Sequence, residues 1–66
     1  MEVIEYLRAL PENSGQKVKM STSNGDLEFY FLWFYNDENI DLRPLGSEGV
    51  FSVNKNHWNR IELVDQ

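Results

Sequence analysis

Three features of these 66 residues predict a mainly β protein, an N-terminal helix followed by five antiparallel strands bent into a small barrel. Apolar residues recur at helical spacing only within the first ten positions, and after Lys17 the period changes to two. Polar, glycine- or proline-containing breaks at residues 24–25, 36–39, 43–49 and 54–59 then cut the remainder into five segments. The second segment holds Phe29-Tyr30-Phe31-Leu32-Trp33-Phe34-Tyr35, six of the nine aromatic residues. A strand of about ten residues in so small a domain has to bend and serve both halves of a barrel.

Taken in order, Val3, Ile4, Leu7 and Leu10 form a helical stripe opposite Glu2, Glu5 and Arg8, and Pro11 stops it, so a short amphipathic helix is expected over residues 2–10. A helix this short is marginal alone and must dock its stripe on the remainder. Residues 11–16 read as a polar turn. Val18 and Met20 alternate with Lys17, Lys19 and Ser21 up to Asn24-Gly25, a dipeptide that favours a two-residue type I′ hairpin. With that loop Thr22 opposes Leu27, Met20 opposes Phe29 and Val18 opposes Phe31, while Lys19 meets Tyr30 and Lys17 meets Leu32 on the other face. A second turn at Asn36-Asp37-Glu38-Asn39 sets Tyr35 against Ile40, Phe34 against Asp41, Trp33 against Leu42 and Leu32 against Arg43. The expected inner face is therefore Leu27, Phe29, Phe31, Trp33 and Tyr35 with Ile40 and Leu42.

Pro44, Gly46 and Gly49 break the third strand. Residues 50–53 read as the fourth strand, 54–59 as a polar connection anchored by Trp58, and 60–64 as the fifth, with Ile61 and Leu63 facing one way. A single domain over residues 1–66 is expected, with the helix at 2–10 and the barrel at 16–65. A chain this short buries only about 60% of the surface its unfolded form exposes, and with no cysteine no disulfide or Cys-based zinc site supplements that burial. No segment of signal-peptide or membrane-spanning character is seen, and the cytoplasm is the expected compartment.

The Asn24-Gly25 turn, the Asp37-x-Asn39-x-Asp41-Leu42 segment and the closing Phe51-x-Val53-x4-Trp58-x2-Ile61-x-Leu63 pattern give the chain a layout that resembles small barrels of the SH3-like and Sm-like type. The resemblance implies the barrel; a ligand does not follow from the fold alone. Where Sm-like proteins carry glycines, this chain reads Tyr30-Phe31-Leu32 and Asn54-Lys55-Asn56-His57, so their ring assembly and uridine pocket are not carried over.

The expected outward residues of the long strand are Tyr30, Leu32 and Phe34, and the register surrounds them with Lys17, Lys19 and Arg43, three of the six cations. Such a patch suits a protein partner, or single-stranded RNA or DNA stacking on the aromatics while cations hold phosphates. Cover by the N-terminal helix is the plainer alternative. A net charge of −5, from eleven acidic and six basic residues, disfavours nucleic acid, because long-range repulsion opposes a phosphate ligand. The acidic surplus also admits an inhibitor that mimics nucleic acid, although its carboxylates are scattered as on an ordinary solvated surface.

No catalytic residues, metal site or cofactor are expected. His57 is the sole histidine and reads as an exposed loop residue, and Ser47 lacks the strained setting of a nucleophile. Asp37, Glu38 and Asp41 lack the spacing of a calcium loop and read as a solvated hairpin turn. The expectation is a non-catalytic cytoplasmic binding module or accessory protein that engages another protein, with no membrane partner and self-association as an open alternative.

Overall fold

A computed structural model describes residues 2–64; the expected limits at residues 1, 65 and 66 lie outside them. The order is helix α1 (Val3–Arg8), strands β1 (Lys17–Thr22), β2 (Gly25–Asn36), β3 (Asn39–Pro44) and β4 (Phe51–Asn54), a 3-10 helix (Lys55–Arg60), and β5 (Ile61–Leu63). All five strands are antiparallel in one sheet ordered β4-β3-β2-β1-β5. The sheet is open among the described residues: β4 and β5 end it and are not paired with each other.

The helix forms where its stripe predicts, trimmed at both ends. Glu2 caps it by accepting the Glu5 N–H at 2.9 Å, and it ends in a tighter turn, Ala9 and Leu10 donating to the carbonyls of Tyr6 and Leu7, because Pro11 disfavours helical backbone at the residue before it. Leu7 is fully buried in the core, with Val3, Ile4, Tyr6 and Leu10 packed against it. Burial of such side chains, at about 1.5–3 kcal/mol each, is what holds six residues helical. Gln16 ties this end of the molecule together, since it accepts from the Tyr6 hydroxyl and donates to the carbonyls of Lys17 and Val64.

The first hairpin differs from expectation by two residues. Its loop is Ser23-Asn24, and Thr22 pairs with Gly25, Met20 with Leu27 and Val18 with Phe29. A type I′ turn needs positive φ at both central residues. Here only Gly25 has it, at +107°, which glycine adopts without the penalty other residues meet. The Thr22 hydroxyl holds this geometry, accepting the Asn24 N–H and donating to the Gly25 carbonyl. A shift of two residues preserves the pleat, so Val18, Met20, Phe29 and Phe31 still share the buried face.

The second hairpin overturns part of the expected alternation. Phe31 pairs with Leu42, but Trp33 pairs with Asp41 and Phe34 with Ile40, leaving Leu32 and Tyr35 as extra residues at two irregularities in β2. Each extra residue reverses the pleat. Phe34 therefore turns to the inner side and packs edge-on against Phe31, with centroids 5.7 Å apart. Trp33 and Tyr35, expected inside, are displaced: Trp33 is half-buried against Asp41, and Tyr35 is exposed. Leu27, also expected inside, lies past the end of the core and is exposed. Phe31, Ile40, Leu42 and Val53 complete the core from three adjacent strands. The connection at residues 54–59 is largely the 3-10 helix, capped by the Asn54 side chain and anchored by Trp58, whose indole N–H donates to the Val53 carbonyl at 2.9 Å.

Candidate binding surface

The face of the sheet away from α1 brings together three of the six candidate residues. Tyr30 lies directly between Lys17 on β1 and Arg43 on β3, one row across three strands. The Lys17 ammonium sits 6.0 Å from the centre of the Tyr30 ring, at the outer reach of a cation–π contact. Tyr30 is 37% exposed. Arg43 is half-buried, and its Nε is buried without a hydrogen-bond partner, an exception among buried polar atoms. The helix covers the opposite side of the sheet, so the row is left open.

The other three are placed differently. Lys19 lies opposite Glu28, one row along, with its ammonium 3.8 Å from Asp26, so its charge is locally offset. Leu32, expected outward, is only 3% exposed, and its carbonyl accepts the Asn13 N–H as residues 11–16 run past the strand. Phe34, also expected outward, is turned inward by the irregularity at Leu32. The Arg8 guanidinium lies over its ring at 4.4 Å, and Trp58 meets it edge-on at 5.8 Å. Arg8 was readable only as a solvated helix charge; its role as a lid on Phe34 depends on where the helix docks.

A second feature of this face is a buried carboxylate. Asp41 is 5% exposed, with Oδ2 accepting the Trp33 indole N–H at 2.9 Å and Oδ1 accepting the Ser52 hydroxyl at 2.6 Å. This corrects the reading of Asp41 as part of a solvated turn. The turn itself is Asp37-Glu38, both exposed, closed by the Asn36 side chain and linked to the 3-10 helix through an ion pair between Glu38 and Lys55. The Trp33-Asp41-Ser52 group clasps β2, β3 and β4 and leaves the carboxylate no open approach.

A third feature is apolar. Leu27, Leu45, Val50 and Phe51 are all exposed near the ends of β2, β3 and β4. Phe51 stacks on Phe29, with centroids 5.6 Å apart, and the Leu45 N–H reaches the Glu28 carbonyl beside Leu27. His57 lies exposed on the 3-10 helix, and the Ser47 hydroxyl closes its own loop by accepting the Gly49 N–H. Among the described residues, no three His, Asp or Glu side chains gather as a metal ion would require, and no helix is long and apolar enough to cross a membrane. No protein-family model, curated protein or solved structure matches the chain.

Proposed function

We propose that the chain is a small non-catalytic binding module of the cytoplasm that engages a protein partner through the outer face of β2, with Tyr30 at the centre. The observation that supports this reading is the open row Lys17-Tyr30-Arg43, left uncovered because α1 docks on the other side of the sheet. An exposed tyrosine beside an arginine joins two of the residue types that dominate protein interfaces, and Lys17 adds a charge at its flank. The strand order, with a 3-10 helix between β4 and β5 and β5 returning to β1, supports the finer reading as a barrel of SH3-like or Sm-like type.

The same row favours one second reading, a single-stranded nucleic-acid site in which a base stacks on Tyr30 and phosphates meet Lys17 and Arg43. The net charge of −5 ranks it behind the protein interface. One capture experiment separates the two. Partners retained from a cell lysate after nuclease treatment, lost in Tyr30→Ala and little changed by moderate salt, support a protein interface. Capture abolished by nuclease, with oligo-U bound directly and released steeply as salt rises, would favour nucleic acid. Retention unaffected by Tyr30→Ala would remove the outer face from consideration altogether.

A further inference from the structure

The two ends of the sheet are unlike. β5 is three residues long and carries Glu62 in its middle, so pairing it with its own counterpart in a second molecule would set like charges face to face. β4 reads Phe51-Ser52-Val53-Asn54, with no charge, no proline and a regular register, so that of the devices that ordinarily protect a sheet edge it has only its shortness.

Which backbone groups that edge presents follows from one hydrogen bond. The Lys55 N–H donates to the Glu38 carbonyl at 2.7 Å. In an antiparallel ladder the bonding positions alternate, so Phe51 and Val53 turn their N–H and C=O groups to β3. Ser52, and by continuation Val50, therefore turn theirs to the open side. An antiparallel neighbour satisfies these groups only in registers that oppose even-numbered residues, and a second copy of β4 related by a two-fold axis meets that condition.

We propose that this protein self-associates as a two-fold dimer through β4, with Val50 opposite Ser52 of the second copy and the two Phe51 residues opposite each other. Three observations favour a second copy over another chain. Pairing about Phe51 matches open backbone groups on both sides by symmetry alone. It covers Phe51 and Val50, 48% and 54% exposed, at the margin of the apolar patch that includes Leu27 and Leu45. It also sets Glu48 opposite the neutral Asn54 of the second copy, so no like charges face each other along the paired edge, unlike a pairing through β5. The surface lies two strands from Tyr30 and leaves the outer row of β2 free for a different partner.

Sedimentation equilibrium of the full chain over a concentration series tests the proposal, with amide exchange as an independent readout. The expected mass rises from 7.8 kDa toward twice that value, and the Ser52 N–H becomes protected as concentration increases. Val50→Lys places two ammoniums diagonally across the two-fold axis. It should raise the dissociation constant by about ten-fold or more while leaving the melting curve of the monomer unchanged, since Val50 lies outside every strand and is exposed. A monomer at every concentration, or a dimer indifferent to Val50→Lys in which the Ser52 amide still exchanges freely, would overturn it. Species larger than a dimer would overturn it as well, because they require β4 to join a different edge.

Discussion

Replacing Asp41 tests whether the outer face of the sheet is held by one carboxylate. In Asp41→Ala both the Trp33 indole N–H and the Ser52 hydroxyl lose their acceptor. A buried polar group left unsatisfied costs about 1–3 kcal/mol. Trp33 is half-buried and Ser52 exposed, so water takes up part of what the carboxylate supplied. Removing a charge that is 5% exposed also returns part of its own desolvation cost. The net expectation is a loss of about 2 kcal/mol, against a total stability of about 3–10 kcal/mol for a chain of this length. Asp41→Asn retains one acceptor for the indole and offers an amide donor to the Ser52 oxygen, which can accept, so its cost should be about 1 kcal/mol. Urea unfolding followed by tryptophan fluorescence measures both, with an unchanged slope showing that only the native state was altered. Asp41→Ala within about 0.5 kcal/mol of the parent, or Asp41→Asn as damaging as Asp41→Ala, would refute the clasp.

Two further outcomes are expected. Leu7→Ala empties a fully buried site beneath α1 and should cost about 2–5 kcal/mol, read as a lowered melting midpoint; an unaltered midpoint would mean that the helix does not stabilise the sheet. Phe34→Ala and Tyr35→Ala, one residue apart, should differ sharply: the first loses its contacts with Phe31, Trp58 and Arg8 and costs about 2 kcal/mol or more, the second stays within about 0.5 kcal/mol. Equal costs would restore simple alternation along β2.

Periodicity carried the architecture as far as it was present. The stripe Val3, Ile4, Leu7 and Leu10 had one buried side, and the alternation of Lys17, Val18, Lys19 and Met20 had one buried face, so both were legible. The pairing of Val18 and Met20 was misjudged by two residues because Asn24-Gly25 suits two kinds of turn, and the choice between them lies with the Thr22 hydroxyl. In the run from Phe29 to Tyr35 every residue is apolar, so nothing in it distinguishes the two faces or marks an unpaired residue. The exchange of Trp33 and Phe34 was hidden for that reason. So was the burial of Asp41, which depends on a tryptophan arriving opposite it. Of the candidate surface, the expected register set Lys17 and Arg43 about Leu32, and a two-residue shift in both ladders sets them about Tyr30 instead; Leu32 and Phe34 lie at and beyond the first irregularity.

The unpaired residues of β2 also govern how this hairpin can change length. Leu32 and Tyr35 are the two residues of the strand without a cross-strand partner, so excising either one leaves every existing pair in place and merely closes a gap. They are not equivalent joints. Leu32 is locked by its buried side chain and by the bond from Asn13, whereas Tyr35 is 69% exposed. A one-residue deletion in this hairpin should therefore be tolerated better at position 35 than at position 32, since it leaves Trp33, Phe34 and the strand they face paired as they are.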